Sequence, residues 1–386
     1  MDTPNTPLSL LILTDWFAPG FKAGGPIRSC VNLACALQHQ AKVRVLCGDR
    51  DAGDAAAYEG IPAGEWIAFD QAVEVAYLSP AQQHFAPLRD WIRRSGAEVL
   101  YLNSMFSVPF TIIPLLLKRM GLIRQRLILA PRGMLHAGAM QFKPRKKQVF
   151  LRLLQLIGAD RDVHFQATDA QEVQDIRAIF GADRPVTLLP NLPPSMQAPF
   201  QSTDKAPGNL RLLFLSRIHP KKHLEFLLRV LQQVHGDVEL EICGPVDDVK
   251  YWAECQELIA HLPGNIRVLY LGEIPNPEVT PRLQANHVFV LPTHGENYGH
   301  AILESFLAGR PVIISDRSPW RNLAASGIGY DLPLEAPEAF RDAIEALLRL
   351  DRAGFDAMAQ AAWLYGRDQL EDSGLKAAYL AMFANA

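Results

Sequence analysis

The sequence has no uninterrupted apolar run long enough to cross a membrane. Its longest apolar segment, Val108 to Leu117, is broken by two prolines and stops at Lys118, whereas a membrane-spanning helix needs about 20 predominantly apolar residues. The first residues also lack the basic start of a secretion signal, and the apolar run from Leu8 to Leu13 is too short to form one. These absences predict a cytoplasmic protein.

Cysteine is scarce and the histidines are scattered, which leaves little material for a metal centre or a disulfide framework. The five cysteines lack both the paired spacing of a metal motif and the density of a disulfide scaffold. Four histidines of the second half lie in different loops and lack the fixed helical spacing of zinc ligands. These are His219, His223, His294 and His300. We therefore expect reduced, buried thiols, no bound metal and no cofactor.

The length and composition indicate a globular chain of more than one domain. With 386 residues the chain exceeds one ordinary hydrophobic core, and 49% of it is hydrophobic and 20% charged. This balance excludes a disordered or collagen-like chain. We expect two domains, each large enough to bury a core of its own.

Acidic residues are absent from Val99 to Ala159, although the net charge of the chain is -3. Ten basic residues lie in that segment, namely Lys118, Arg119, Arg124, Arg126, Arg132, Lys143, Arg145, Lys146, Lys147 and Arg152. Basic and apolar positions alternate from Phe142 to Leu156, which suits a helix lying in a membrane interface. No recognised nucleic-acid-binding module accompanies the charge. The segment therefore predicts contact with an anionic membrane, on the inner face of the plasma membrane, and not with nucleic acid.

The first half of the chain alternates between short apolar strands and helices. Leu8 to Thr14 and Val43 to Cys47 have the composition of strands, and a helix from Pro26 to His39 lies between them, after a glycine pair. Further predicted strands are Val73 to Tyr77, Val99 to Leu102, Leu127 to Ala130 and Val163 to Ala167. This alternation predicts a doubly wound α/β domain over residues 1–192.

A proline-rich stretch separates this half from a second alternating region. Residues 193–209 contain four prolines and few periodic apolar positions, as expected of an interdomain linker. A second α/β domain is predicted over residues 210–366. Its predicted strands are Arg211 to Leu215, Val238 to Cys243, Ile266 to Leu271, Val288 to Leu291 and Val312 to Ile314. Helices are predicted at Ala339 to Arg349, Phe355 to Tyr365 and Gln369 to Phe383.

Two glutamates stand eight positions apart across a strand-to-helix junction of the second domain. Glu296 lies in the loop after the strand Val288 to Leu291, and Glu304 lies in the helix Ala301 to Leu307. Ligands of open α/β sheets occupy the crevice at the carboxyl ends of the strands, and the amides that start a helix suit an anion. The amides concerned are those around Tyr298, Gly299 and His300. The ligand is therefore predicted to carry phosphate.

This arrangement resembles the paired-glutamate signature of retaining glycosyltransferases of family 4, which have the GT-B fold. Upstream, Arg217 and Lys222 are spaced by five, as in that group's strand-end pair of basic residues. Near the start, the first strand and the pair Gly24 and Gly25 are similar to the group's first strand and glycine loop. The segment Ser315 to Trp320 resembles one common in its bacterial polysaccharide-assembly members.

The resemblance implies an α/β fold in which two doubly wound Rossmann-like domains face each other across a cleft. Residues 1–192 would form the acceptor-side domain and residues 210–366 the domain that binds the nucleotide sugar. It also implies that a C-terminal helix within residues 367–386 crosses back to the first domain. The activity implied is transfer of a sugar, with retention of configuration, from a nucleotide-diphosphate sugar to a glycan or lipid-linked acceptor. Surface-polysaccharide biosynthesis is the implied setting, and the donor is a substrate, so no cofactor is expected.

Residue roles follow from the same resemblance. Glu296, Arg217 and Lys222 are the catalytic candidates: Glu296 would hold hydroxyls of the donor sugar, and the two cations would stabilise the departing diphosphate. Glu304 would accept the two ribose hydroxyls, which suits a carboxylate with two oxygens. The remaining substrate-binding candidates are Gly24, Gly25, Arg132, Asn297, Tyr298, Gly299 and His300.

The sequence departs from the family pattern in two places, and the second of them leaves the acceptor-side catalytic residue open. His223 stands where a glycine commonly follows the lysine, and the loops at Asn103 and Arg132 lack the histidine of many relatives, with His136 displaced nearby. Two other functions also stay open. A sugar-nucleotide 2-epimerase would need its own acid/base carboxylates and histidine, and a non-catalytic nucleotide-sugar-binding protein would be free to lose the charged residues present here.

Overall fold

The computed structural model describes residues 8–140, 144–194, 199–370 and 374–385. By their internal contacts the residues form two compact units. The N-terminal unit comprises Met1–Ser195 and Asp372–Ala386, and the C-terminal unit comprises Met196–Glu371. Each unit is built around its own β-sheet.

Strands and helices alternate along the N-terminal unit, as its apolar pattern predicts. In chain order the elements are β1 (Leu8–Thr14), α1 (Gly25–Leu37), β2 (Ala41–Gly48), β3 (Trp66–Asp70), β4 (Val73–Leu78), α2 (Phe85–Arg94), β5 (Val99–Asn103), α3 (Ile113–Arg119), β6 (Arg126–Ala130), α4 (Ala137–Met140), α5 (Pro144–Leu156), β7 (Val163–Ala167), α6 (Ala170–Phe180) and β8 (Val186–Leu188). A π-helical turn, Val108–Ile112, precedes α3.

The N-terminal sheet has the strand order β3-β4-β2-β1-β5-β6-β7-β8 and is parallel except for the pair of β3 and β4. Alternation along β1 sends Leu11 and Leu13 to one core and Leu10 and Ile12 to the other. Because helices cover both faces, the strand is apolar throughout. The strand order reverses between β1 and β5, where Thr14 is opposite Asn103.

The C-terminal unit is a second parallel α/β layer structure. Its elements are β9 (Asn209–Leu215), α7 (Leu224–Leu231), β10 (Asp237–Cys243), α8 (Val249–Ala260), β11 (Ile266–Gly272), α9 (Asn276–Ala285), β12 (Val288–Leu291), α10 (His300–Leu307), β13 (Val312–Ser315), β14 (Gly329–Leu332), α11 (Pro337–Arg349) and α12 (Arg352–Asp368). The strand order is β11-β10-β9-β12-β13-β14. Its order reverses between β9 and β12.

The residues just before β9 are anchored in the C-terminal unit. Arg310 is fully buried and donates hydrogen bonds to the Gln201 carbonyl (3.0 Å) and to Thr203 Oγ1 (2.5 Å). Lys205 donates to the carbonyl oxygens of Ala206 (2.8 Å) and Leu350 (2.9 Å). The proline content of residues 193–209 predicts a linker, and its described part after residue 198 packs as part of this unit.

The C-terminal helix α13 (Leu375–Asn385) belongs to the N-terminal unit. Its Tyr379 hydroxyl donates to the Pro190 carbonyl (2.9 Å), and the Phe383 ring lies 5.6 Å from the ring of Tyr101. The side chains of Tyr379 and Phe383 are both buried. The helix therefore closes one face of the N-terminal sheet.

The predicted α/β class and all predicted strands are confirmed, and three strands were not predicted. The unpredicted strands are β3, β8 and β14, which are short and partly exposed. The predicted helix Gln369 to Phe383 is wrong in its start. Helix α12 continues to Asp368, residues 371–373 lie outside the described residues, and α13 begins at Leu375 after Gly374, whose φ is +81°. In the described part, no helix is long and apolar enough to span a bilayer.

Candidate functional site

The reversal of strand order in the C-terminal unit places two loops side by side. Strands β9 and β12 are neighbours, with Val288 opposite Leu212 and Phe289 opposite Leu213. The connections from these strands run to opposite sides of the sheet. Such a switch point opens a crevice outside the carboxyl ends of the strands, where ligands of doubly wound folds bind. We call it the C-terminal crevice; its loops carry Arg217, Lys222 and Glu296.

The loop after β9 is shaped by a short 3₁₀ turn, Pro220–Lys222. His219 caps this turn, since its Nδ1 accepts a hydrogen bond from the Lys221 amide (3.1 Å). His223 then adopts a left-handed conformation with φ +62° and leads into α7. A non-glycine residue pays about 1 kcal/mol or more for that conformation. The turn thereby aims Lys222 toward the loop after β12.

Lys222 and Glu296 form an ion pair in this crevice, between Nζ and Oε1. Their side chains are only 13% and 14% exposed. Arg217, in contrast, is 47% exposed and pairs through Nη1 with Asp247 Oδ2 at 2.5 Å. The structure therefore brings the predicted catalytic residues Lys222 and Glu296 into contact. It pairs Arg217 with Asp247, a residue that the sequence analysis did not identify.

Backbone hydrogen bonds fix the position of Glu296. Its amide donates to the Arg317 carbonyl (3.0 Å), in the loop after β13. The His294 amide donates to the Lys221 carbonyl (2.8 Å), and Ser315 Oγ donates to the Thr293 carbonyl (2.5 Å). These hydrogen bonds thus join the loops that follow β9, β12 and β13.

The neighbouring Lys221 has a perturbed pKa. Burial lowers the pKa of Lys221 below its usual value, and the nearby positive charge of Lys222 lowers it further.

The His223 ring contacts the ring of His294, in the loop after β12, at a tilt of 31°. Their ring centroids lie 4.0 Å apart, and the His223 ring also stacks on Phe226 at 5.1 Å. Burial lowers the pKa of His223 to about 4, with a further contribution from His294. His223 is therefore neutral at physiological pH, and its ring packs between those of Phe226 and His294 as an uncharged aromatic group.

The start of α10 is positioned by Trp320. The helix is preceded by Gly299, whose φ of +77° favours glycine, and a Cβ there would lie 2.8 Å from Ile302 Cδ1. The Trp320 indole donates to the Tyr298 carbonyl at 2.6 Å and packs against Phe306 at 5.6 Å between ring centroids. The buried indole thus fixes the loop that carries the helix-start amides.

The other predicted residues of the C-terminal unit lie on this loop and helix. Asn297 and Tyr298 are partly buried, and the Tyr298 ring lies 4.8 Å from the His300 ring. Glu304 is partly buried and follows His300 by one helical turn, so both side chains lie on the same face of α10.

Gly24, Gly25 and Arg132, the remaining predicted residues, belong to the N-terminal unit. Gly24 precedes α1 with φ +65°, and Gly25 is the first helical residue, one position earlier than predicted. The buried Asp51 carboxylate holds the loop before them, because its Oδ2 accepts from the amide of Phe21 at 2.7 Å and from that of Lys22 at 3.1 Å. The space around Gly24 is open, so its backbone angle alone favours glycine.

Arg132 is held inside a network of neutral groups. Its Nε donates to Asn103 Oδ1 (2.7 Å), its Nη2 to the Tyr101 hydroxyl (2.6 Å) and its Nη1 to Asn191. The residue itself has φ +59°. These bonds join the ends of β5, β6 and β8, so Arg132 ties together the carboxyl edge of the sheet.

His136 anchors the same loop to α6. Its Nδ1 lies 2.5 Å from Asp175 Oδ2 and its Nε2 lies 3.6 Å from Asp169 Oδ2. The pKa of His136 is raised to about 9 by the interaction with Asp169 and, against the opposing effect of burial, by that with Asp175. Glu172, fully buried, accepts a hydrogen bond from the Gly133 amide (2.5 Å). His136 is therefore a cation at neutral pH.

Among the described residues no cluster of three or more histidine, cysteine, aspartate or glutamate side chains is arranged to hold a metal ion.

Residues 196–362 match the family model described as "Glycosyl transferases group 1". That range lies within the C-terminal unit and contains Arg217, Lys222, Glu296 and Glu304. A phosphatidyl-myo-inositol mannosyltransferase of Mycobacterium leprae is 29% identical over 165 residues, which cover 39% of this chain and 42% of that protein. The chain thus matches less than half of the length of this relative.

Solved structures match nearly the whole chain. HepE of Anabaena, crystallised with UDP and glucose, has a TM-score of 0.69 at 15% identity and covers 98% of this chain and 100% of that one. WaaG, a glycosyltransferase involved in lipopolysaccharide biosynthesis, has a TM-score of 0.65 at 14% identity with the same coverage. These likenesses establish the GT-B fold.

Proposed function

We propose that the chain is a retaining glycosyltransferase that moves a sugar from a nucleotide-diphosphate sugar to a hydroxyl of a glycan or lipid-linked acceptor. Surface-polysaccharide assembly is the proposed setting, in keeping with the likeness to WaaG. The observation that supports this most is the ion pair of Lys222 and Glu296 at the C-terminal crevice. A cation and a helix start on adjoining loops are the features that bind a phosphate group.

In such a transfer the bond between the anomeric carbon and the diphosphate breaks, and negative charge grows on the departing oxygen. Lys222 supplies a compact charge, and the partly exposed guanidinium of Arg217 can offer two N–H groups to two phosphate oxygens. Glu296, fixed by the Arg317 carbonyl, would accept hydrogen bonds from donor-sugar hydroxyls. Glu304 would do so for the ribose. No carboxylate is assigned as a nucleophile.

The donor is best tested first with UDP-sugars, because HepE was crystallised with UDP. The purified protein would be incubated with UDP-glucose, and separately with GDP-mannose and ADP-glucose, in the presence of bacterial lipid extract. Proton NMR of the product would report the anomeric configuration, and we expect it to match that of the donor. An inverted product, or epimerisation of the donor sugar without acceptor, would contradict the proposal.

We also propose that helix α5 docks on the inner face of the plasma membrane. Its outer side carries Val149, Leu153 and Leu156, which are 55%, 54% and 81% exposed. Leu151 and Leu154 on the opposite side are buried in the core. An exposed apolar stripe of this kind on a basic helix is typical of segments that lie in a membrane interface.

The cations beside this stripe are Arg145, Lys146 and Arg152, all exposed. Lys147 is turned inward, because its Nζ donates to the Ala139 carbonyl (2.7 Å) and lies 5.1 Å from the centre of the Phe106 ring. Predicted residue Lys143 lies outside the described residues. Each engaged cation contributes about 1 kcal/mol near anionic lipid. Attachment would therefore be reversible and weaken with salt.

Vesicle co-sedimentation tests this docking. We expect the wild-type protein to sediment with phosphatidylglycerol vesicles at low salt and not with phosphatidylcholine vesicles. Serine at Arg145, Lys146 and Arg152 should abolish sedimentation, and a control with serine at the exposed Lys42, Arg94 and Arg177 should retain it. A wild-type protein that ignores anionic vesicles, or equal loss in the control, would contradict the proposal.

A further inference from the structure

The N-terminal sheet has a switch point of its own. Its strand order reverses between β1 and β5, which are paired in register from Leu10 opposite Val99 to Thr14 opposite Asn103. The chain turns to one side of the sheet after β1 and to the other after β5. The crevice outside these strand ends is the position at which doubly wound folds bind ligands.

A short hydrogen bond joins the loops on the two sides of this crevice. Asp15, the first residue after β1, accepts at Oδ1 from the hydroxyl of Ser107 at 2.6 Å. Ser107 is itself fixed, because it is buried and its Oγ also accepts from the Phe110 amide at 3.1 Å. The Asp15 carbonyl accepts from the Gly48 amide at 3.1 Å. The carboxylate is therefore held rigidly at the point where the strand order reverses.

The second oxygen of this carboxylate, Oδ2, receives no hydrogen bond from the described residues, and no cation of the described part contacts Asp15. Other aspartates of this unit differ, since Asp49 pairs with Arg50 and Asp160 with Arg184. Burial raises the pKa of Asp15, while the Ser107 hydrogen bond lowers it. A partly buried carboxylate with an open acceptor position is stabilised by a donor that carries no negative charge.

The surroundings indicate which donor fits. The neighbouring strand ends carry two neutral polar side chains, Asn103 and Thr14. The Asn103 side chain accepts a hydrogen bond from Arg132, and its Nδ2 donates to the Thr14 hydroxyl at 3.4 Å. A phosphate placed against the open oxygen of Asp15 would be repelled by the carboxylate, and the Arg132 guanidinium at this edge is already bound by Asn103, Tyr101 and Asn191. A sugar hydroxyl instead supplies the missing donor and also accepts hydrogen bonds.

We infer that Asp15, held by Ser107, accepts a hydrogen bond from a hydroxyl of an uncharged acceptor sugar and thereby selects and orients the acceptor. This inference rests on the proposed glycosyl transfer.

The test uses a panel of p-nitrophenyl glycosides of glucose, galactose, mannose and N-acetylglucosamine as acceptor probes. Binding is followed by saturation-transfer NMR, and transfer from UDP-glucose, GDP-mannose or ADP-glucose by release of the nucleotide. We expect Asp15→Asn to lower kcat/KM for the best glycoside about 10- to 100-fold, the factor for losing a hydrogen bond to a charged group. Ser107→Ala should lower it about 3- to 10-fold, because the carboxylate loses its support.

Matched controls separate this role from a structural one. Asp162→Asn makes the same change at an exposed aspartate of the N-terminal unit and should leave glycoside binding unchanged. In Asp15→Asn, nucleotide affinity should stay within about twofold of wild type. Equal loss of nucleotide affinity would assign Asp15 a structural role and overturn the inference.

The inference and the proposed function fail differently. If the wild-type protein binds no glycoside of the panel, or if Asp15→Asn and Ser107→Ala both bind and use it as wild type does, Asp15 is not the acceptor residue. If the protein binds none of UDP, GDP and ADP, the proposed function fails, whatever the glycosides do.

Discussion

The His136 cluster gives a prediction about stability and pH that can be worked out from its geometry. The imidazole contacts the carboxylates of Asp169 and Asp175, and its pKa is about 9 in the folded chain against 6.5 for an unperturbed histidine. The folded state therefore binds this proton more tightly than the unfolded state does. The stabilisation is fully present below about pH 6.5 and is lost as the pH rises through about 9.

The size of the effect follows from the shift in pKa. At 1.36 kcal/mol for each unit, the change corresponds to about 3 kcal/mol of unfolding free energy at pH 6. His136→Gln should lose about 2–3 kcal/mol at pH 6, and by pH 10 the difference from wild type should shrink to less than about 1 kcal/mol. The control is His39→Gln, which changes an exposed histidine of the same unit.

Urea unfolding between pH 6 and pH 10 is the assay. Each unit contains three of the six tryptophans, so fluorescence follows the unfolding of both units. Hydrogen exchange of the peptides that cover α6 reports on the His136 cluster itself. A stability difference between His136→Gln and wild type that is the same at pH 6 and pH 10, or that grows with pH, would show that protonated His136 does not stabilise the fold. So would a loss of similar size and pH dependence in His39→Gln.

Further predictions concern the C-terminal crevice. Lys222→Ala and Arg217→Ala should lower kcat about 10²- to 10³-fold and raise donor KM by less than about tenfold, because the negative charge that these cations stabilise grows as the diphosphate leaves. Steady-state kinetics would measure both parameters. Lys250→Ala, at an exposed lysine, is the control. A raised donor KM with unchanged kcat would show instead that these cations bind the ground state and the transition state equally. Trp320→Phe removes the indole donor to the Tyr298 carbonyl and should weaken nucleotide binding by about 1 kcal/mol in calorimetry. Unchanged affinity would show that the indole does not position the α10 start.

The sequence predicts the regular elements well because each buried strand carries its own signal. Strand β1 has the predicted bounds Leu8 to Thr14, and β12 has the predicted bounds Val288 to Leu291, since both are continuous apolar runs of buried parallel strands. The strand β14, Gly329–Leu332, has an aspartate and a glycine among four residues, and no pattern distinguishes it from a loop. Its place depends on pairing with β13.

The sequence predicts individual residues of the candidate site, but it does not predict which of their side chains contact one another. Resemblance identified Lys222 and Glu296, but their ion pair joins residues 74 positions apart and depends on the order of the strands. Asp247, the partner of Arg217, follows a different strand and has no local signal. Asp15 could have been found as a polar residue at the end of β1, but its meaning depends on β5 being the neighbouring strand.

Calorimetric titration of UDP, GDP and ADP against the wild-type protein and Glu304→Ala is the decisive test of donor binding at the C-terminal crevice, since a nucleotide bound there needs its ribose held. We expect one diphosphate nucleotide to bind the wild-type protein. Glu304→Ala should weaken that binding by about 1.5–3 kcal/mol, as the ribose hydroxyls lose a charged acceptor. The control Glu257→Ala, at an exposed glutamate of α8, should bind as wild type does. Equal affinity in wild type and Glu304→Ala, or no binding of any of the three nucleotides, would contradict the account.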